Sequence, residues 1–387
     1  MFQSTKPAIL ATTALMIFRN QLNERVWGTH GVNTLALDDP RPRPVRGGGV
    51  PAHHLLRSGR PAARLHREHR PRLTHPVARS EGITGIGVIG DSISDEYRFY
   101  APDRASARNW VEILATTREL PFGDPGVANR GMAQDRRLAY NWSRSSATTT
   151  SLIAQGQHRG LAAQVTEGAA INLASVTIGT NDFADVLNKS RSVAALRPVP
   201  ERASANLAAI LGSLLGTNPT LRIAVFTAVD LRCSPILRGA LDAGLITGAV
   251  ADAYGSAIEA FNNRLRGLVA GHGRRVMIVD IYRLLAEVTR ARSYVVGGLE
   301  IDCVKASNDP RHLFLADGFH PGTIGQCLIA NQFLDTINAG FDTGIPLLSG
   351  KEMIDIADSV PRPSGRALIG TGVLALLRYG RRRPRVA

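Results

Sequence analysis

Residues 86–94 read Ile-Gly-Val-Ile-Gly-Asp-Ser-Ile-Ser, an apolar run that stops abruptly at a Gly-Asp-Ser turn. This pattern predicts a buried parallel strand that ends in a tight turn, because glycine permits the backbone conformations of a sharp exit. In open α/β sheets, ligands bind beyond the carboxyl ends of the strands, so Ser92 on that turn would face a ligand site. A serine after a strand is more often a turn or cap residue, and residues further along the chain decide between the two interpretations.

Further apolar runs follow at spacings that leave room for helices between them. Apolar residues recur with helical periodicity at 207–215 and 258–268, and Gly216 and Gly271 end the two patterns. Strands separated by helices pair in parallel through right-handed crossovers, so the sequence predicts a three-layer α/β/α sandwich with a mainly parallel sheet, over residues 81–345. The other strand candidates are 171–178, 221–229 and 276–281, with a weaker one at 138–142.

The formal net charge of +14 belongs to the two ends of the chain. Residues 19–80 hold 12 arginines and 4 acidic residues, and residues 360–387 hold 7 arginines and no acidic residue. Residues 81–359 are close to neutral, with 26 basic and 28 acidic side chains. Because nucleic-acid recognition needs a basic face on the folded domain, we expect no nucleic-acid partner.

The chain before the predicted domain has two parts. Residues 7–18 have the length of a signal-peptide apolar segment, although Arg19 and Asn20 stand where a small-residue cleavage site is expected. Residues 19–80 are rich in Arg, Pro and Gly and show no sustained apolar periodicity, so we expect this region to be disordered. Its 6 histidines stand among arginines, which repel cations, so they do not predict a metal site.

Residues 346–387 predict a linker followed by a tail. The apolar stretch 367–377 precedes a cluster of arginines, a pattern typical of a chain held in a membrane with its end on the cytoplasmic side. Because the stretch is short for a bilayer span, a frayed basic helix remains the alternative.

The chain has three cysteines, too few and too scattered for a disulfide framework or a zinc site. In an exported protein, Cys303 and Cys327 could be bridged. Two buried thiols are the alternative.

Two later motifs place polar side chains at the same predicted sheet edge. Gly-Thr-Asn-Asp at 179–182 ends the second strand, so Asn181 would project into the crevice that Ser92 faces. Asp-Gly-Phe-His-Pro at 317–321 precedes a helix that we expect to start near Gly322. Its spacing lets Asp317 hold one ring nitrogen of His320 while the other nitrogen faces a hydroxyl. A serine needs such a base to act as a nucleophile, and an asparagine amide can stabilise the resulting oxyanion.

The remaining polar candidates have simpler interpretations. His158, His272 and His312 lie in polar or loop contexts and are expected to be solvated. Asp91 and Asp182 are expected to anchor nearby backbone rather than take part in chemistry.

The three motifs resemble blocks one, three and five of the SGNH/GDSL hydrolases, a family of esterases and lipases, and they occur in the family's order. The resemblance covers residues 84–340. It implies a flavodoxin-like fold with Ser92 as nucleophile and His320 as base, oriented by Asp317, and it requires no metal or organic cofactor. It also implies an oxyanion hole formed by the Ser92 backbone N–H, the Asn181 side chain and the backbone N–H of a block-two glycine.

At that glycine the sequence departs from the family. Asn-Trp-Ser-Arg-Ser-Ser-Ala-Thr at 141–148 resembles block two, with Ser146 in the glycine's place. Because the donor is a main-chain group, Ser146 still supplies an N–H if its backbone takes the required conformation.

The tail resembles a second known pattern, the PEP-CTERM sorting signal of exported bacterial proteins. Val-Pro-Arg-Pro-Ser at 360–364 is the corresponding motif, with Arg362 at the usual glutamate. The resemblance implies export, transient retention in the membrane and contact with a sorting machinery.

The sequence therefore predicts a secreted or surface-held serine hydrolase of carboxylic esters. It would be an esterase, a lipase or a carbohydrate acetylesterase, acting on a small-molecule or polysaccharide ester. The alternative is a catalytically inert surface protein for adhesion or carbohydrate binding, which the serine at position 146 and the unusual amino-terminal region motivate. The joint presence of a nucleophile, a base, an orienting carboxylate and an oxyanion donor argues against that alternative.

Overall fold

The computed structural model describes residues 82–100, 104–125 and 138–360. The apolar segment at 7–18, the region 19–80 and the tail after Val360 therefore lie outside the described residues. Among the helices within those three ranges, none combines the length and the hydropathy that a bilayer crossing needs.

Four parallel strands form the central sheet, in the spatial order β1-β2-β3-β4. Val88 of β1 pairs with Ser175 of β2, and Val225 of β3 pairs with Ile278 of β4. All residues of β1 and β2 are buried, and neither strand contains a charged side chain, as expected of parallel strands covered on both faces. The four main strand predictions are confirmed: β1 is Ile86–Gly90, β2 is Leu173–Thr177, β3 is Arg222–Phe226 and β4 is Val276–Val279.

The weaker candidate at 138–142 is not a strand. Only Asn141 pairs with β1, in a parallel bridge to Val88, supported by hydrogen bonds of Val88 with Tyr140 and Trp142. The Asn141 N–H donates to the Leu138 carbonyl at 2.9 Å, so the segment closes a turn instead of running extended. The prediction was wrong because an apolar run of this length does not reveal such a turn.

Eleven helices are defined in the part of the chain that the structure describes. They are α1 (Trp110–Thr117), α2 (Thr149–Gln155), α3 (Gln157–Thr166), α4 (Thr180–Lys189), α5 (Val193–Leu196), α6 (Val199–Leu215), α7 (Pro235–Asp242), α8 (Gly248–Ala270), α9 (Ile281–Val288), α10 (Thr323–Phe341) and α11 (Gly350–Ser359). The two predicted helical patterns lie in α6 and α8, and the expected helix near Gly322 is α10.

The helices cover both faces of the central sheet. On one face, α6 packs against α2, α3 and α8, while α3 contacts β1 and α8 contacts β4. On the other face, α10 packs against α1, β3 and β4. There the Trp110 ring lies 4.6 Å from that of Phe333 and 5.4 Å from that of Phe226, measured between centroids. The predicted α/β/α architecture with a parallel sheet is confirmed.

A small second sheet of three strands precedes the Asp-Gly-Phe-His-Pro motif in the chain. β5 (Ser293–Val296) and β6 (Leu299–Ala306) form an antiparallel hairpin, and β7 (His312–Phe314) pairs in parallel with β6. The segment after β7 is the Asp-Gly-Phe-His-Pro loop, which an isolated bridge between Phe314 and Pro321 closes. This arrangement fixes the loop at its two ends.

The folded domain extends beyond residue 345, into the region assigned to a linker. Helix α11 packs against α10 and β5, and Arg118 at the end of α1 forms an ion pair with Glu352 at 3.1 Å. Ser349 and Glu352 form a capping box, so the Ser-x-x-Glu pattern was a sequence signal for this helix.

All three cysteines are free thiols, and Cys303 and Cys327 are buried. The structure thus agrees with the buried-thiol alternative rather than a bridge. Burial raises the pKa of the Cys303 thiol to about 11 and that of Cys233 to about 12, so both are protonated and unreactive at neutral pH.

Candidate active site

The turn after β1 is shaped by close contact with the neighbouring strand. Gly90 has a φ of +152°, and a Cβ at this position would lie 2.2 Å from the Thr177 carbonyl oxygen of β2. The next N–H, that of Asp91, donates to the same carbonyl at 3.0 Å. Only glycine allows this approach, and the resulting sharp exit places Ser92 at the carboxyl end of the sheet.

The loop that carries His320 is held by its own aspartate. The Asp317 carboxylate accepts hydrogen bonds from the backbone N–H groups of Phe319, at 2.8 Å, and His320, at 2.9 Å. The His320 carbonyl accepts from the Leu315 N–H at 2.9 Å. The loop therefore positions carboxylate and imidazole together before any contact with Ser92 is made.

The structure brings Ser92, His320 and Asp317 into one hydrogen-bonded row. Nδ1 of His320 donates to Oδ2 of Asp317 at 2.6 Å, and Nε2 faces the Ser92 Oγ at 2.8 Å. Because the carboxylate accepts a hydrogen bond from Nδ1–H, the ring proton stays on Nδ1, and Nε2 carries the lone pair that can accept the hydroxyl proton of Ser92. Two segments that are 228 positions apart thus meet at one edge of the sheet.

The electrostatics keep Asp317 ionised. Burial by itself would raise the pKa of this carboxyl group, but the adjacent His320 ring and the two backbone N–H donors outweigh it and lower the pKa below its usual value. A carboxylate that stays charged can orient the imidazole and stabilise its protonated form.

A second set of groups lies beside the Ser92 turn. Ser146 has a φ of +65°, the left-handed conformation that glycine adopts readily and serine seldom does. Asn181, in the first turn of α4, donates from Nδ2 to the Ala147 carbonyl at 3.0 Å. No acceptor within the described residues takes the backbone N–H of Ser92 or of Ser146. These two N–H groups and the second amide proton of Asn181 are the donors with which the site can bind an anion.

Sequence analysis missed two residues that contact this region. Arg104 donates to the Ser92 carbonyl at 3.4 Å and to the Ser145 hydroxyl at 2.6 Å. Asp95 accepts from the Ser145 N–H at 2.7 Å. Arg104 lies in a stretch without periodicity or motif, and nothing in the sequence signals either contact.

Asp91 and Asp182 accept hydrogen bonds from backbone N–H groups, as predicted. Asp182 accepts from the Thr149 N–H at 2.8 Å and from its hydroxyl at 2.7 Å. Asp91 accepts from the Ile93 N–H at 3.0 Å, and its burial raises the pKa of its carboxyl group to about 7.

The prediction for His158 was wrong. This side chain is buried in α3 rather than solvated, because its helix packs against the sheet, and burial together with Arg159 lowers its pKa. Within the described residues, no group of His, Cys, Asp and Glu side chains is arranged to hold a metal ion.

The chain is similar to several solved structures of lipases and esterases. A search of the curated proteins finds no match. Among solved structures, the chain is similar to a lipase from a goat rumen metagenome, with 13% identity over 66% of this chain and 97% of that chain and a TM-score of 0.42. It is also similar to phospholipase A1 from Streptomyces albidoflavus, with 16% identity over 67% and 99% and a TM-score of 0.39. A family 3 carbohydrate esterase from Clostridium thermocellum shows 17% identity over 67% and 96%, with a TM-score of 0.37.

A family model also matches the chain. The model of the GDSL-like lipase/acylhydrolase family matches residues 86–333, which is more than half of the chain and spans every site residue described above. The chain therefore belongs to the GDSL-like lipase/acylhydrolase family and is a hydrolase of ester bonds.

Proposed function

We propose that the protein hydrolyses carboxylic esters through a covalent acyl-enzyme on Ser92. The observation that carries this proposal is the row from the Ser92 hydroxyl through His320 to Asp317. A serine hydroxyl is a weak nucleophile, and a base within hydrogen-bond distance removes its proton during attack. The 2.8 Å contact between Ser92 Oγ and His320 Nε2 satisfies that requirement.

The reaction takes place in two halves. Ser92 Oγ attacks the ester carbonyl while His320 takes its proton, and the tetrahedral intermediate collapses with transfer of this proton to the leaving alcohol. Water then attacks the acyl-enzyme, His320 takes a proton from that water, and the acid leaves as the proton returns to Ser92. Asp317 holds the imidazole in the required tautomer throughout.

The negative charge of each intermediate needs donors that are already in place. In this proposal the donors are the backbone N–H groups of Ser92 and Ser146 and the side-chain amide of Asn181. The left-handed conformation of Ser146 supports the proposal, because it is a conformation that glycine adopts readily, as expected at a position where the family has glycine.

Hydrolysis of p-nitrophenyl acetate by the full chain tests the proposal. We expect Ser92→Ala to lose nearly all activity, and Ser204→Ala to keep it. Ser204 is a matched control, since it is a buried serine whose hydroxyl donates to the Glu201 carbonyl of its own helix. Equal rates for the wild type and Ser92→Ala would remove Ser92 from the mechanism.

A serine-reactive fluorophosphonate probe separates the proposal from the inert-protein alternative. Labelling that disappears in both Ser92→Ala and His320→Ala supports an activated nucleophile. A wild-type chain that is not labelled would favour a binding protein instead. Ser146 and the unusual amino-terminal region motivate the alternative, and the positive φ of Ser146 argues against the first of these two grounds.

The substrate class is open among short-chain esters, acetylated polysaccharides and lipids. Hydrolysis of acetylated xylan, pectin and triglycerides by the purified protein would choose between them. We further propose that the chain is exported, on the basis of residues 7–18 and the tail motif. Fractionation of cells that produce the full chain, with and without residues 7–18, tests this.

A further inference from the structure

The serine at position 146 needs outside support for its conformation. With a φ of +65°, its Cβ crowds the following carbonyl oxygen, a strain that glycine would avoid. A strained residue keeps such a conformation only when its surroundings fix it. The neighbours of Ser146 in the chain show how this is achieved.

The residue before Ser146 is held at two atoms. Asp95, which is fully buried, accepts from the Ser145 backbone N–H at 2.7 Å and also from the Tyr100 hydroxyl. Arg104 donates to the Ser145 hydroxyl at 2.6 Å. Both main-chain and side-chain groups of Ser145 are therefore tied to the segment that follows Ser92.

The residue after Ser146 is held as well. The Ala147 N–H donates to the Arg144 carbonyl at 3.2 Å, and its carbonyl accepts from Asn181 at 3.0 Å. Because Ser145 and Ala147 are both fixed, the backbone of Ser146 between them is restricted to its positive φ. The direction of the Ser146 N–H is therefore fixed as well.

Arg104 also links this turn to Ser92. Its guanidinium donates to the Ser92 carbonyl at 3.4 Å, in addition to Ser145. The group is 5% exposed and lies over the Tyr97 and Tyr100 rings, at 5.2 Å and 3.8 Å from their centroids. A planar fork held between two rings fixes the separation of the two groups it bonds, which a flexible ammonium group cannot do.

We propose that Arg104 and Asp95 are positioning residues that hold the Ser145–Ser146 turn against Ser92, so that the N–H groups of Ser92 and Ser146 stay aligned as oxyanion donors although position 146 carries a side chain. The inference rests on the proposed function. In this chain the contacts of the buried Arg104 and Asp95 would hold the positive φ that a glycine could adopt without strain.

The expected effect is on turnover rather than on binding. An oxyanion donor is used fully only in the transition state, so its misalignment lowers kcat and leaves KM nearly unchanged. Arg104→Gln and Arg104→Lys should each lower kcat for p-nitrophenyl acetate on the order of 10-fold, less than the loss of a whole donor. Arg104→Lys keeps the charge but not the fork, so wild-type turnover in that variant would overturn the proposal.

The decisive measurement repeats Arg104→Gln in a Ser146→Gly parent. Glycine adopts a positive φ without strain, so Arg104→Gln should lower kcat by no more than about threefold in that parent. An equal loss in both parents would overturn the proposal, because the arginine would then act independently of the strain at 146.

Two further variants control for damage to the fold. Ser145→Ala removes one acceptor of Arg104 without opening the core. The decrease in kcat in the double variant should not exceed that in Arg104→Gln alone, because both substitutions delete the same contact. Arg222→Gln is a matched control at the amino end of β3. Like Arg104, Arg222 lies over an aromatic ring, at 4.4 Å from the centroid of Phe341, and donates to a backbone carbonyl, that of Gly340, at 2.5 Å. This variant should lower the melting temperature and leave kcat unchanged.

The outcomes separate the two proposals. An inactive Ser92→Ala together with full turnover in Arg104→Gln and Ser145→Ala would refute the positioning role and leave the acyl-enzyme mechanism intact. An active Ser92→Ala would refute the mechanism itself.

Discussion

In the proposed mechanism the site has one half for proton transfer and one for oxyanion binding, and the two are built in different ways. The proton-transfer half, Ser92 with His320 and Asp317, consists of side chains joined by hydrogen bonds of 2.8 and 2.6 Å. The oxyanion half, the Ser92 and Ser146 N–H groups with Asn181, consists mostly of main-chain groups on a turn with a positive φ. The first half depends on which residues are present, and the second depends on how the backbone is held.

This difference predicts different responses to substitution. Removing a side chain of the proton-transfer half deletes a chemical group that nothing else replaces. In the oxyanion half, only Asn181 has a side chain that acts directly, and the other donors survive any substitution except one that moves the backbone. The predictions below test this distinction, starting from the largest effect.

His320→Ala should abolish nearly all turnover, because no other base among the residues that the structure describes contacts the Ser92 hydroxyl. We expect kcat for p-nitrophenyl acetate to fall on the order of 10⁴-fold or more. His272→Ala is the control. This histidine is exposed and follows the carboxyl end of α8, so its substitution should leave kcat unchanged. Comparable activity in the two variants would mean that the row of hydrogen bonds is not the catalytic centre.

Asn181→Ala should have a smaller effect, because two main-chain donors remain. The loss of one oxyanion donor typically lowers kcat about 10²–10³-fold. Some of this loss would also come from release of the Ala147 carbonyl, which Asn181 holds. Asn218→Ala, which removes a turn asparagine before β3, provides the comparison, and a similar loss there would contradict a specific role for Asn181.

Asp91 directly precedes Ser92, the residue that both halves share, and its titration should appear in the stability of the fold. Burial raises the pKa of its carboxyl group from 3.8 to about 7, so the folded state keeps a proton that the unfolded state releases between these values. The free energy of unfolding therefore falls as the pH rises through this window.

Asp91→Asn removes that dependence and preserves the acceptor for the Ile93 N–H. The stability of the variant relative to the wild type should rise between pH 4 and pH 7, by no more than about 4 kcal/mol. Urea unfolding at both pH values measures it. Parallel pH profiles for the two proteins would show that the carboxyl group titrates normally.

Ser146→Gly tests the strain in the oxyanion half by itself. Glycine relieves the steric cost of the positive φ but loses more entropy on folding, so we expect a gain in stability of about 0.5–1 kcal/mol. Glu119→Gly, at an exposed position that also has a positive φ, of 50°, should give a similar gain. A destabilised Ser146→Gly, measured by urea unfolding, would contradict strain at this site.

The proton-transfer half could be predicted from the sequence because its information is local. A strand that stops at Gly-Asp-Ser and a loop with Asp and His three residues apart each indicate their chemistry without reference to the rest of the chain. The parallel sheet then supplies the meeting point, since the carboxyl ends of its strands share one edge.

The oxyanion half could be predicted only in outline. The sequence showed that Ser146 stands at the glycine position of block two, but not which backbone conformation it takes. The groups that we propose to hold it are Asp95 and Arg104, and Arg104 bonds to a residue 41 positions away. Long-range contacts between a basic side chain and a hydroxyl leave no periodic or spacing signal. The failed strand at 138–142 has a similar cause, because the turn at Asn141 depends on its pairing with β1.

The distance along the chain between Ser92 and His320 has a consequence for synthesis of the protein. A ribosome-bound chain that ends before residue 317 already contains the hydroxyl and the whole parallel sheet, but it lacks the imidazole that activates the hydroxyl. Hydrolysis can begin only after β7 and its loop have left the exit tunnel and docked. The onset of esterase activity in a timed translation reaction would therefore report the completion of the fold.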